Sequence, residues 1–486
     1  MSGTTGSNGH GHLPAAELRS QLGHPVIDAD GHWVEYGPVL REAMARIGGE
    51  PAARGFASFS STVERSLAMG VAERRRRGLS QEAFWGSPTA NTLDRATSML
   101  PRLLYERLDD LGIDFAVLYP TAGLGTVRIA DSGDRAATCR AFNTYSAELF
   151  APLGDRMTPA AVIPMHSPDE ALVELDHVAE LGLKAIMLGS LMPRPLGELA
   201  DIDPALALRF GWLDPLGLDS AHDYDPVWSR CVELGFAPTF HTGSRRYGLR
   251  TSPSNFVYNH IGHFAAASEA VAKALFLGGV TRRFPQLRVA FLEGGVAWAC
   301  TLLADLVGHW EKRNLAALEA TRPSNLDVDG LIKLARRYDS DMAAALEVRA
   351  DHLRHPREDL VGGIDDLDDF SACAINDERD IVRLFVDNFY FGCEADDRTN
   401  ALAFNRAQNP GGEQVKAIFG SDIGHFDVLD MAEVLPEAYE LVTDGMIDHD
   451  DFRRFTFENP ARLWAEANPA FFEGTVVAQE VKELLG

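Results

Sequence analysis

Residues 25–32 read Pro-Val-Ile-Asp-Ala-Asp-Gly-His, a short apolar run that ends in carboxylates and an imidazole. Such a run, bounded by turn-forming residues, marks a buried strand. Seven more follow along the chain: Phe115–Pro120, Thr158–Met165, Leu183–Leu188, Phe236–His241, Leu287–Glu293, Phe389–Glu394 and Val415–Asp422. Their near-continuous apolar character suits parallel strands, which are buried on both faces. Helical stretches lie between them. The clearest start is Ser167-Pro168-Asp169-Glu170, where Ser167 caps, Pro168 takes the first helical position and Glu170 completes a capping box. That helix runs to about Glu180 and stops near Gly182. Helices are also predicted over His263–Leu277, Val296–Arg313, Val428–Thr443 and Pro460–Asn468. Eight strands with interposed helices predict an α/β fold, a (β/α)8 TIM barrel rather than an open sheet.

Two segments are too long for simple crossovers, 35–112 and 314–388, and both are predicted to be cap insertions over the barrel mouth. The reading is therefore one barrel over residues 25–468. A Gly/Ser-rich disordered tail, 1–24, precedes it and a C-terminal extension, 469–486, follows. The charge runs Arg74–Arg77 and Asp365–Asp369 are read as solvated faces.

Composition excludes several classes of function. With 71 acidic and 45 basic side chains the formal charge is −26, which disfavours nucleic acid and anionic membrane surfaces as partners. No apolar run is long enough to span a bilayer, and the start lacks the features of a signal peptide. The five cysteines are widely spaced, without the pairing of a zinc or redox motif, so a reduced, cytoplasmic protein is expected. No glycine-rich phosphate loop stands between strand and helix, so neither NAD nor ATP is expected.

Barrel enzymes build their sites at the C-terminal ends of the strands. Five of the eight runs end there in ligand-type residues: Asp28-Ala29-Asp30-Gly31-His32, His241-Thr242-Gly243, Glu293-Gly294-Gly295, Glu394, and Gly420-Ser421-Asp422. Residues two apart in a strand share a face, so Asp30 and His32 both point into the mouth. Two imidazoles and several carboxylates converging at one mouth would repel and desolvate one another without a cation. The ligand set Asp30, His32, His241 and Asp422, extended by Glu293 and Glu394, mixes nitrogen and oxygen. That mixture suits a divalent metal ion, zinc first, with manganese or iron as alternatives. Cys393 lies beside Glu394 but is expected on the opposite face, in the core.

In this order, IDADGH, FHTG, FLEGGVAW, FGSDIGH and the closing FENPARLW resemble the amidohydrolase superfamily. Within it they resemble the amidohydrolase-related group that includes aminocarboxymuconate-semialdehyde decarboxylase and the aromatic-acid decarboxylases. The likeness runs from Val26 to Ala467, broken by the two insertions. It implies a metal-dependent enzyme and a homodimer. Two positions depart from the family pattern. Asp30 stands where the first histidine of His-x-His is usual, as in decarboxylase members with a carboxylate there, and Glu293 stands where the family has an acid/base histidine. Members with two bridged metals use a carboxylated lysine on strand four, whereas Lys184 begins that strand, at the other end of the barrel.

The leading expectation is a metal-dependent hydrolase in which Asp422 or Glu293 takes a proton from the attacking water and returns it to the leaving group. The first alternative is non-oxidative decarboxylation of an unsaturated or aromatic acid, a carboxy-lyase reaction. The second is a diiron oxygenase using Glu293 and Glu394 beside Asp30 and Asp422, and the third a barrel that binds a ligand without turnover. Arg245 and Arg246 follow strand five on the active-site side and suit an anionic, small-molecule substrate. His260 and His263, three apart on one helix face, and His425, just past Asp422, are the further candidates to touch it.

Overall fold

The structure is a computed structural model, and residues 13–82, 90–203, 206–207, 210–241, 243, 251–353 and 364–486 are described. Ten strands are numbered in chain order: β1 (Ile27–Trp33), β2 (Phe115–Pro120), β3 (Met157–Ile163), β4 (Ala185–Leu188), β5 (Met192–Arg194), β6 (Trp212–Asp214), β7 (Pro238–Phe240), β8 (Val289–Phe291), β9 (Phe389–Glu394) and β10 (Lys416–Gly420). Eight form one sheet in the order β1-β2-β3-β4-β7-β8-β9-β10, and every neighbouring pair in it is parallel. These are the eight strands expected from the apolar runs, and with their outer helices they make the (β/α)8 barrel. The pair β5–β6 is an antiparallel hairpin inserted between β4 and β7. Its three-residue strands carry too little pattern to be read from sequence.

The seam between β10 and β1 is closed at the mouth by bonds outside the ladder. Ser421 N donates to Asp28 Oδ1 at 2.9 Å, and its hydroxyl donates to Asp28 Oδ2 at 2.6 Å. Asp422 N donates to Asp30 O, and His32 N to Ile423 O. Asp28 is fully buried, and burial pushes its carboxyl up to about 6 despite the donors around it. A Cβ on Gly31 would stand 2.5 Å from Asp28 Oδ2, so only glycine fits beside the seam. The register of β1 against β2 also shifts between Asp28 and Gly31, an irregularity of the kind that re-aims side chains at a barrel rim.

Helix Pro168–Glu180 matches its expected span, and Ser167 accepts from Glu170 N. The Glu170 side chain does not complete a capping box; it accepts from the Arg135 guanidinium, Nε at 2.8 Å and Nη2 at 3.1 Å. Ala15–Gln21, inside the segment read as a disordered tail, is helical with Ala15 and Leu18 buried. Phe240, Phe291 and Phe391 stand in register on β7, β8 and β9 with stacked rings. Trp298 and Phe385 cover them from outside the barrel, where apolar area leaves water. Past residue 468, Phe471 and Phe472 pack on Phe115 at the start of β2, and Lys184 donates to the Ala470 and Phe471 carbonyls.

The segment between β1 and β2 spreads from flank to rim. Its helical stretch Gly37–Ala68, broken by a kink at Gly49, lies on helix Ser132–Phe150, with Arg46 bonded to Glu148 and Arg54 to Asp134. Ser98 reaches the mouth, where its carbonyl accepts from Val34 N at 2.7 Å. Arg74 departs from the solvated face read in the arginine run. It is buried, and its guanidinium bonds to the Pro253, Ser66 and Met69 carbonyls and to the Gln81 amide oxygen. Of its neighbours, Arg76 and Arg77 do lie exposed, paired with Glu73. Among the described residues no helix is long and apolar enough to cross a membrane.

Candidate metal centre

The strand ends and the turn after β10 deliver six ligand-type side chains to the mouth, in two overlapping sets of four that share His32 and Glu293. His32 Nε2 lies 3.1 Å from His241 Nε2, and Glu293 Oε1 lies 3.3 Å from each of them. Asp30 Oδ1 is 3.6 Å from His32 Nε2 and 3.8 Å from His241 Nε2. On the other side, Asp422 Oδ1 is 3.5 Å from His32 Nε2 and 2.6 Å from His425 Nδ1, which is itself 3.3 Å from Glu293 Oε1. Ligands held about 2.1 Å from one ion at tetrahedral angles stand about 3.4 Å apart, and these separations bracket that value. Asp30 Oδ1, Glu293 Oε1 and Asp422 Oδ1 are buried and make no aligned hydrogen bond. The cluster therefore fits a divalent cation in both spacing and donor chemistry.

Local backbone explains how two of these carboxylates reach the centre. Phe291 faces outward, so strict alternation would put Glu293 outside with it. Glu293 instead adopts φ of 54°, and Asp422, at the end of β10, φ of 47°. Left-handed backbone is uncommon for residues other than glycine and costs roughly 1–3 kcal/mol where it is held in place. Both turns aim a carboxylate at the imidazoles. The ring of His32 stacks on His425 at 3.8 Å between centroids and meets His241 edge-on at 4.9 Å. Below them Tyr119, fully buried, donates from its hydroxyl to Thr239 Oγ1 at 3.0 Å and floors the centre.

The electrostatics follow from packing like and unlike charges out of water. Burial, with His425 beside it, pushes His32 down to about 3. Burial also opposes a charge on His241, yet Glu293 and Asp30 hold it up at about 9. Asp30 and Asp422 are pushed up, first by burial and then, for Asp422, by the Glu293 charge. Burial would raise Glu293 as well, but the surrounding imidazoles of His241, His32 and His425 hold it well below the usual carboxylate range.

The structure thus brings together Asp30, His32, His241, Glu293 and Asp422 from the expected set, and adds His425 to them. Sequence placed His425 at the pocket wall, because the turn after Asp422 gives no periodicity by which to orient it. Glu394 lies at the edge of the centre, where it clusters with Asp422 and with Asp427, a residue the sequence reading missed. The four carboxylates expected to hold two irons fall in three overlapping groups, linked through Glu293 and Asp422. Burial and the Glu293 charge push Glu394 up to about 9. Cys393 is buried and unpaired, as expected for a core residue.

A cavity of about 480 Å³ opens beside Glu293. One wall is aromatic, with Phe256, Phe264 and Phe426 around His260 and His263, and the other is carboxylate, with Glu394, Asp397 and Asp427. The three phenylalanines gave no signal in sequence beyond their hydrophobicity. His260 and His263 both line the cavity, their rings 4.9 Å apart. A Cβ on Gly243 would fall 2.1 Å from His263 Nδ1, so the glycine after β7 is what lets that ring approach. Arg245 and Arg246 lie outside the described residues.

A family model described as amidohydrolase matches residues 27–324. The match ends before β9 and β10. No curated protein matches the chain. Among solved structures, an amidohydrolase from Mycobacterium avium subsp. paratuberculosis K-10 is 16% identical, with 91% of this chain and 99% of that one covered and a TM-score of 0.49. The 5-carboxyvanillate decarboxylase of Sphingomonas paucimobilis is 15% identical, covering 90% and 98%, with a TM-score of 0.44. The 2,6-dihydroxybenzoate decarboxylase of Rhizobium is 15% identical, covering 91% and 98%, with a TM-score of 0.45.

Proposed function

The chain belongs to the amidohydrolase family, and from that premise we propose that it is a metal-dependent hydrolase acting on a small organic molecule in the cavity beside Glu293. The observation that carries this reading is a pair of four-residue sets at ligand spacing, Asp30, His32, His241, Glu293 and His32, Glu293, Asp422, His425, which share His32 and Glu293. Asp30, His32, His241 and Asp422 would hold a divalent cation, zinc in the first instance. When bound, the cation polarises the scissile carbonyl and lowers the pKa of water towards about 7.

The chain's own groups do the rest. Glu293 borders both the imidazoles and the cavity, whereas Asp422 does not line the cavity. Glu293 Oε1 is therefore the atom that takes the proton from the attacking water and returns it to the leaving group. Phe256, Phe264 and Phe426 exclude water and orient the substrate, with His260 and His263 as the polar groups on that wall. Arg245 and Arg246 are read as the clamp for an anionic group. The five unpaired cysteines support a reducing, cytoplasmic setting. Exposed Leu334, Tyr338 and Met342 on helices Val328–Tyr338 and Ser340–Arg349 support a homodimer.

One observation favours decarboxylation as the second reading. A flat aromatic wall beside an Asp-x-His strand end suits a planar acid whose carboxylate faces His32 and His241, with no water attack. To separate the two, metal-loaded protein is incubated with amides, esters and lactones, and with aromatic and unsaturated acids. Hydrolysis abolished by chelation supports the first reading. Release of CO₂ without oxygen uptake selects the second. Failure to retain any metal, with no change in stability on chelation, overturns both.

A further inference from the structure

Much of the cavity's aromatic wall is carried by a helix with little apolar anchorage. Phe256–His260 has five residues, too few to hold themselves helical in water. Phe256 and His260, four apart on one face, line the cavity, and each meets the Phe426 ring at 5.3 Å. Val257, Tyr258 and the following Ile261 are more than half exposed. The one buried residue of the helix is polar: Asn259, with no exposed surface.

Asn259 is bonded to the segment between β1 and β2. Its Nδ2 donates to Gln81 O at 2.8 Å and to Ser252 O at 2.9 Å, and its Oδ1 accepts from Ser252 N at 2.6 Å. The oxygen faces a donor and the nitrogen two acceptors, so the amide fits in one orientation only. Gln81 N donates in turn to Ser252 O at 2.8 Å. Arg74 ties the same two stretches of chain together. Its guanidinium bonds to Pro253 O at 2.9 Å and to Gln81 Oε1, and the Ser66 and Met69 carbonyls hold it from behind. Neither Asn259 nor Arg74 lines the cavity or belongs to the metal-centre clusters.

From this we infer that Asn259 and Arg74 are positioning residues which, through one latch, fix where Phe256 and His260 stand against Phe426 and so set the room a substrate has beside that wall. Apolar contact between the rings is non-directional and lets them slide, whereas a fully matched set of hydrogen bonds holds the helix in one place. Arg74 and Gln81 lie 179 and 178 positions from the partners they hold. Changes in the segment between β1 and β2 therefore reshape the cavity without altering any residue that lines it. This deepens the proposed function and rests on it for the meaning of the cavity, while the place of the wall is a property of the chain alone.

The test uses magnetic resonance of the full chain. In the unsubstituted protein the Ser252 and Gln81 amide hydrogens exchange slowly and together. The His260 ring C–H signals, assigned by their loss in His260→Gln, are displaced by the ring currents of Phe256 and Phe426. Asn259→Leu and Arg74→Met each move the His260 signals towards those of an exposed histidine and leave zinc affinity unchanged. The double variant goes no further than Asn259→Leu, because both residues act through one latch. A general loss of packing would instead add across the two substitutions and weaken zinc binding, and that result overturns the inference. Fast exchange of both amides in the unsubstituted protein overturns it without any variant having to fold. So do His260 signals unchanged in both variants. If the chain binds no zinc but the two amides are protected together and the His260 signals move, the metal-dependent reading fails and the positioning role stands.

Discussion

The Nε2 atoms of His32 and His241 lie 3.1 Å apart with Glu293 Oε1 3.3 Å from both. Two buried imidazole nitrogens at that separation need a proton or a cation between them. In the metal-free chain the proton resides on His241, which is held up at about 9, while its neighbour is pushed down to about 3.

The metal-free protein therefore loses stability as the pH rises from about 6.5 to about 9. His241 is raised from 6.5 to about 9, so its contribution is complete below 6.5 and is lost as the pH passes through its folded value. Glu394, raised from 4.5 to about 9, also binds its proton more tightly in the folded chain over that window and pulls in the same direction. Loading with zinc replaces the protons, so it flattens the dependence and releases acid. Melting temperature against pH, with and without chelator, checks this, and a metal-free profile that climbs between those values contradicts it.

Asp422→Asn should separate fold from chemistry. Asparagine tolerates the left-handed backbone that Asp422 adopts, so equilibrium stability stays within about 1 kcal/mol of the unsubstituted protein. Residues that merely orient ligands are worth about 10- to 100-fold, so losing a ligand charge should weaken metal binding by more than about 100-fold. Turnover should fall with it. Isothermal titration beside urea denaturation gives both numbers, and intact metal affinity would remove Asp422 from the ligand set.

Asp28→Ala should unfold the barrel more readily while leaving every proposed ligand in the sequence. The change strips the acceptor from Ser421 N, Ser421 Oγ and Asp30 N, all buried. At about 1–3 kcal/mol for each orphaned group, the loss is about 3 kcal/mol or more, read as a lower urea midpoint. A change under about 1 kcal/mol would show that the seam is held by something other than this carboxylate.

The barrel was legible in sequence because parallel strands, buried on both sides, write themselves as apolar runs. Its functional end was legible because those runs stop at Asp30, His32, His241, Glu293 and Asp422. What sequence could not convey is distance across the mouth. Alternation puts Glu394 on an inward face, as observed, but says nothing of the gap that leaves it with Asp422 and Asp427 rather than with the histidines. His425 and Glu293 are both aimed by turns, where the two-residue period no longer applies. Arg74 looks solvated in a run of four arginines, yet carbonyls contributed from residues 66, 69 and 253 bury it, and no local pattern announces a partner as distant as Pro253.

Asp28 and Ser421 are 393 positions apart, and that span sets the order of events during synthesis. While the chain emerges from the ribosome, β1 can find β2 early, but its other edge waits for the last strand. Every ligand supplied before Asp422 is translated long before the centre can be completed. The nascent barrel thus carries an open edge through most of translation, the condition in which strand-edge association and chaperone capture compete with folding.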